Sequence, residues 1–295
     1  MKKNIIFYIL IVISMFIWGG SWISAKMISN KIDFDVLVFY RLFLCFLAFI
    51  PMILISKEKL RISIREFLLL LAAAATIILY NKLFFTGLAT GLPGASGVLV
   101  TTTCPLFTYL ISAAIKRKPI SRFQLTGLII GLAGGLILLR IWSFDIKMIL
   151  SKGNLLFIFA SITWGILTIM SAETQSGMSA IKYSFYLYGF SSIMQLFFSF
   201  NNGLTDIFDQ DLIFWSNLLY LCLFSTSFAT TFYFYASKKV GADLASSFSF
   251  IVPASVVIFS LILLKEIPHP ATIAGGGLAV IAVFIINRTK SKKPD

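Results

Sequence analysis

Ten apolar runs, each long enough to cross a bilayer, follow one another along 295 residues. Nothing else in the chain limits its fold so tightly. A helix needs about 20 mostly apolar residues to span the hydrocarbon, where every backbone N–H and C=O must be satisfied within the protein. The runs are Ile5–Ile28, Asp35–Ser56, Glu66–Leu88, Ala95–Ile115, Arg122–Trp142, Gly153–Ala172, Ala180–Phe200, Ile213–Ala236, Leu244–Leu264 and Ala271–Asn287. The expected fold class is therefore all-α and integral to a membrane, with ten transmembrane helices. Composition agrees: 58% of residues are hydrophobic and 13% charged, against about 45–50% and about 25% in soluble domains. The first run follows Met1-Lys2-Lys3 as a signal peptide would. It is too long for one and lacks a small-residue cleavage site, so it is expected to remain.

The net charge of +13 invites a nucleic-acid reading, which the distribution of charge removes. Lys and Arg sit in short clusters between uncharged runs, as loop charges beside a membrane do; no nucleic-acid partner is expected. With the N-terminus in the cytoplasm, the inner loops collect Lys2, Lys3, Lys57, Lys59, Arg61, Arg65, Lys116, Arg117, Lys118, Arg122, Lys182, Lys238, Lys239, Arg288, Lys290, Lys292 and Lys293. The outer loops keep Lys31, Arg140, Lys147, Lys152 and Lys265, beside Asp33, Asp35, Asp145, Asp206, Asp209 and Asp211. This is the positive-inside asymmetry. It predicts a multi-pass protein of the cytoplasmic membrane with both termini cytoplasmic.

Several chemistries are excluded. Cys45, Cys104 and Cys222 fall within apolar runs at no metal-like spacing, so they read as small apolar fillers, with no disulfide and no metal site. No phosphate loop of the G-x-x-x-x-G-K-[ST] type appears, no loop would hold a nucleotide domain, and no cofactor is expected. An intramembrane enzyme would need paired acid–base residues. The sole His, His269, lies in an outer turn, and Glu66, Glu173 and Glu266 sit near span ends.

The chain also repeats itself. "SMFIWGGSWISAK" returns as "SITWGILTIMSAE", with Trp18-Gly19 and Trp164-Gly165 standing 146 positions apart. Phe39-Tyr40 matches Phe185-Tyr186, Pro105 matches Pro253, and Pro119 matches Pro268, at offsets drifting only from 146 to 149. Each half, residues 1–143 and 144–295, holds five spans. Five is odd, so equivalent helices enter the membrane from opposite sides, giving two inverted five-helix repeats. Such repeats place a binding site near the midplane between the halves.

Five plus five spans, Trp-Gly in the first helix of each half, the Arg of "FYRLFLCFLAFIP" and the closing "PLFTYLISAAIKRKPISRFQLTGLIIGLAGGLILL" together resemble the EamA family of the drug/metabolite transporter superfamily. The likeness covers essentially the whole chain. It implies a secondary transporter of a small organic solute working by alternating access, with no enzyme activity and with the bilayer and a small-molecule substrate as partners. Relatives implied by the family include exporters of amino acids, uptake carriers, lipid-linked sugar flippases and multidrug exporters. The chain would act as a monomer or a homodimer. Leu187 stands where the first half has Arg41, so an anion-binding role there is one-sided.

Polar residues within the spans are the candidate substrate-binding groups. A charge in a span costs about 2.5–3.5 kcal/mol on insertion scales. Arg41 lies about 9 Å into the second span at 1.5 Å per residue; it either pairs with Asp33 or Asp35, caps a carbonyl, or binds an anion. Lys82, beside Tyr80 and Asn81, either joins a polar cluster or snorkels to the interface. Trp18 and Trp164 sit mid-span, where an indole N–H needs a partner, so they face either a cavity or a glycine-lined helix contact. Tyr40 and Tyr186 add hydroxyls at matched positions. Thr102, within Thr101 to Thr103, and Ser247, within the Ser246 to Ser249 group, either line a path or satisfy carbonyls freed by Pro105 and Pro253. With no carboxylate mid-span, the favoured cargo carries a carboxylate, an amino acid or related metabolite, moved outward.

Overall fold

A computed structural model describes residues 2–90, 95–149, 151–263 and 269–288. Lys265, Glu266, Pro268, Lys290, Lys292 and Lys293 lie outside the described residues. Among the described residues all regular structure is helical. Ten long helices run in order: α1 (Lys2–Ile28), α2 (Phe34–Ser56), α3 (Ile64–Thr90), α4 (Ala95–Lys116), α5 (Arg122–Leu138), α6 (Lys152–Thr174), α7 (Ala180–Ser199), α8 (Leu212–Val240), α9 and α10 (Pro270–Arg288). Helix α9 joins Ala242–Ser247, a 3-10 turn at Phe248–Phe250, and Ile251–Leu263. The fifth run stops earlier than expected: Arg140 turns left-handed at φ 52° and a 3-10 turn, Ile141–Ser143, follows.

Nine of these helices, among the described residues, are long and apolar enough to cross a membrane. The expected count of ten apolar spans is corrected at α7. Its 20 residues match a bilayer at 1.5 Å each, but Lys182, Tyr183, Ser184, Tyr188, Ser192 and Gln195 dilute its apolar character. All six are buried, while Phe197 and Phe200 face outward. The polar side of α7 is turned into the protein, and the hydropathy of the stretch understates its fit to lipid.

Local chemistry ends the helices. Asp33 accepts from the Asp35 amide at 2.8 Å and Asp211 from the Phe214 amide at 2.7 Å, capping α2 and α8. Ser121 and Gln124 form a reciprocal capping box at the start of α5, which satisfies two donors that no intrahelical carbonyl can reach. Gly241, at φ +97°, permits the abrupt turn from α8 into α9 that a side chain would resist.

The two halves exchange partners. Helix α1 packs on α8 and α9, and α6 packs on α3 and α4; α2 pairs with α7 and α5 with α10. Swapping the halves maps this set onto itself, as two inverted five-helix repeats require. The matched tyrosines show the inversion directly. The Tyr40 hydroxyl donates to the Leu204 carbonyl at 3.0 Å, in the connection between α7 and α8. The Tyr186 hydroxyl donates to the Leu60 carbonyl, in the connection between α2 and α3. One tyrosine thus works at the face opposite the N-terminus and its counterpart at the N-terminal face.

Candidate functional site

Where α1, α6 and α8 meet, the first and second repeats touch through aromatic rings. Trp18 and Trp164 lie edge to face with centroids 5.4 Å apart, Trp18 meets Tyr233 at 4.9 Å, and Tyr80 meets Trp164 at 4.7 Å. A tyrosine from each half thereby contacts the tryptophan of the other. The Trp18 indole N–H donates to Thr230 Oγ1 at 3.2 Å, which supplies the partner a mid-span indole needs. On the N-terminal side of this layer Ile11, Met15 and Phe234 have no exposed surface, so the protein is closed there.

On the other side of the layer lies a cavity enclosing about 630 Å³ of space, its mouth included. Trp18, Trp22, Tyr80, Phe84 and Trp164 form its aromatic walls; Arg41, Ser21, Thr101, Ser225, Thr230 and Ser249 supply its polar groups. Arg41, Tyr80, Trp164 and Thr230 also border a smaller adjoining space with Asn81 and Thr226. Arg41 therefore stands between two hollows. Its Nε donates to Thr226 Oγ1 at 3.1 Å, and among the described residues no carboxylate lies within ion-pair distance of it. The expected pairing with Asp33 or Asp35 is not formed. Asp33 accepts from Asn202 and Asp35 from Gln195.

Helix α8 reaches Arg41 through an unusual backbone. Residues Tyr220–Thr230 form an 11-residue π-helical stretch, in which the Thr230 hydroxyl donates to the Ser225 carbonyl at 3.0 Å. Wide turns of this kind are rare and frequently sit at functional sites. Here the wide turn places Leu221, Ser225 and Thr230 on the cavity wall and Thr226 against the guanidinium.

Pro105 and Pro253 explain the hydroxyl triplets. Pro105 has no N–H, so the carbonyl four residues back, that of Thr101, loses its helical donor. The Ser249 hydroxyl donates to that carbonyl at 2.7 Å from the opposite repeat. Thr101 and Ser249 each precede their proline by four positions. They are equivalent residues that meet near the pseudo-twofold axis, and both line the cavity.

Of the residues singled out in the sequence, Trp18, Arg41, Tyr80 and Trp164 converge on the main cavity, and Asn81 on its side space. Asn81 donates to the Ile77 carbonyl at 2.7 Å. Lys82 points away: it is exposed, with its ammonium 5.4 Å from the Phe198 ring centre. Tyr40 and Tyr186 hold connections at the two faces. Thr102 packs on Gly135, and Ser247 bonds the Leu244 carbonyl. Sequence reasoning missed Trp22, Phe84, Ser225, Thr226 and Thr230. Thr101 and Ser249, noted in the sequence among the hydroxyls before the prolines, are paired by the same offset of 148 that relates Pro105 and Pro253, a signal that singles them out. The π-helical residues carry no such signal.

The sequence profile of the EamA-like transporter family matches residues 5–140 and again 151–288, once per repeat. The chain is 27% identical over 300 residues to the uncharacterized transporter YetK of Bacillus subtilis, covering 100% of this chain and 90% of that protein. It is 22% identical to an uncharacterized transporter of Archaeoglobus fulgidus, covering 94% and 96%. A solved crystal structure superposes with a TM-score of 0.73 over 95% of this chain and 96% of the other, at 14% identity, a likeness of fold. The chain is thus a multi-pass membrane protein and a transporter, not an enzyme: it belongs to the EamA-like transporter family.

Proposed function

We propose that this transporter carries small carboxylate-bearing metabolites, amino acids among them, out of the cell by alternating access. The observation that carries the reading is Arg41. A guanidinium has five N–H donors in a planar fork suited to a carboxylate, and among the described residues only Nε is engaged. A cation held in a span without a counter-ion is costly, and the anionic group of a cargo would offset that cost. The aromatic walls suit the cargo's apolar body. An ammonium group would find the hydroxyls of Thr101, Ser225 and Ser249 and the ring faces. With both termini cytoplasmic, as the loop charges favour, the cavity lies on the outward side of the aromatic layer.

A lipid-carrying reading is less well supported. A lateral groove lined by Phe16, Phe248 and Phe284 does exist. It shares no residue with the polar cavity, so a tail seated there would not bring its headgroup to Arg41.

Thermal stability of the purified protein against amino acids, organic anions, nucleosides and lipophilic cations tests the proposal, since a ligand of the folded state raises Tm by mass action. Carboxylates should stabilise the protein, and Arg41→Gln should lose the response. Stabilisation by cations alone would overturn the reading.

A further inference from the structure

A second polar cleft opens on the N-terminal face, on the far side of the aromatic layer from the cavity. It lies between the last turns of α4, the α4–α5 connection and the turn from α8 to α9, with a volume of about 310 Å³, so both repeats contribute to it. Lys116, Lys118, Ser112, Gln124 and Asp243 line it, together with Tyr109. Tyr109 is only 3% exposed, and among the described residues its hydroxyl makes no well-formed hydrogen bond, with the Gln124 side chain as its polar neighbour in the cleft. A buried O–H without an acceptor is costly, and few such groups survive in a folded protein without a reason. Lys116 sits 3.8 Å from Asp243, so these two charges offset one another, and among the described residues Lys118 has no counter-ion. Of the cleft's polar groups only Asp243 is an obligate acceptor; the lysines and the Tyr109 hydroxyl present donors.

The cleft is joined to the cavity by α4. Thr101 and Cys104 line the cavity, Ser112 lines the cleft, and Thr108, fully buried between them, continues the same face at helical spacing. From Thr101 to Ser112 is about 16 Å along the axis. Small polar side chains therefore mark a track from one hollow to the other, closed by the Trp18–Trp164–Tyr233 layer.

We infer that this cleft is an oxyanion-binding vestibule of the transport path, in which Tyr109 and Lys118 hold the anionic group of a cargo at the N-terminal face. The vestibule's place in transport rests on the carboxylate-carrier reading above. Its ligand chemistry stands on Tyr109 and Lys118 alone.

The test uses the full-length protein in nanodiscs of neutral phosphatidylcholine, with inorganic phosphate as the probe and chloride at matched ionic strength as the control. At ten times its Kd phosphate should raise Tm by about 2–3 °C. Tyr109→Phe, which removes only the hydroxyl, and the surface change Lys118→Gln should each abolish the shift. Arg41→Gln should keep it, and this separates the vestibule from the central cavity. An unchanged shift in Tyr109→Phe overturns the assignment, as does a shift that only Arg41→Gln removes, or no shift beyond the chloride control. Stabilisation by discs of phosphatidylglycerol without any response to free phosphate would assign the cleft to a lipid headgroup and overturn the vestibule.

Discussion

At the scale of single residues, Arg41 separates charge from geometry. Lysine in its place would keep the cation and lose the planar fork. A hydrogen bond to a charged group contributes about 1.5–3 kcal/mol, so Arg41→Gln should weaken carboxylate binding about 10- to 150-fold. Arg41→Lys should fall between that variant and the parent. Titration of intrinsic tryptophan fluorescence is suited to the measurement, because Trp18, Trp22 and Trp164 all line the cavity; equal affinities in all three proteins would remove Arg41 from the site. The sequence already drew attention to Arg41, because a guanidinium inside an apolar run has so few explanations. It drew the same attention to Lys82, which instead lies over Phe198. Depth in the membrane is readable from position along a run, but the direction a side chain takes around the helix depends on neighbours that a single run does not disclose. Thr102 illustrates this. Its hydroxyl returns to the Val98 carbonyl at 2.6 Å while the adjacent Thr101 faces the cavity.

At the scale of helices, α5 and α10 hold the repeats together at their ends through glycines. A Cβ on Gly134 would lie 2.8 Å from the Gly275 carbonyl oxygen, and one on Gly275 2.5 Å from the Leu138 amide nitrogen. No rotamer change relieves a clash with backbone. Gly134→Val or Gly275→Val should therefore force α5 and α10 apart and destabilise the protein by more than the about 1–3 kcal/mol typical of core overpacking. Gly277, on the same helix as Gly275, faces open space: a Cβ there would meet nothing within 4 Å. Gly277→Ala should be neutral or stabilise by about 0.5–1 kcal/mol through helix propensity. Detergent melting curves of the three variants check both statements, and equal Tm values would contradict the packing role. The helices themselves were legible because lipid leaves the backbone no alternative, and their ends because charges and caps cluster there. The π-helical stretch of α8 was not: "YLCLFSTSFAT" reads as ordinary helix, and the contacts it makes with α1 and α2 lie far away in the sequence.

At the scale of the molecule, the offset of 146 between repeats predicts the other conformation. Trp22 and Ala25 of α1 line the cavity. Their counterparts 146 positions on are Thr168 and Ser171 of α6, both fully buried on the N-terminal side of the aromatic layer. If the repeats exchange roles during transport, these two residues become the walls of a cavity that opens to the N-terminal face. Single cysteines at Ala25 and Ser171, in a chain whose Cys45, Cys104 and Cys222 are replaced by serine or alanine, make the exchange measurable. A membrane-impermeant maleimide should label Ala25→Cys from the face opposite the N-terminus and Ser171→Cys from the N-terminal face. The two labelling rates should move in opposite directions when a transported carboxylate is added, because one population is drawn from the other. Labelling of both sites from one side, or a Ser171→Cys that never reacts while transport continues, would rule out the exchange. Thr168 currently bonds the Tyr233 hydroxyl at 3.1 Å and Ser171 bonds Gln175. Opening that side must break these contacts and part the Trp18–Trp164 pair, so the rate of Ser171→Cys labelling also reports how firmly the aromatic layer is held.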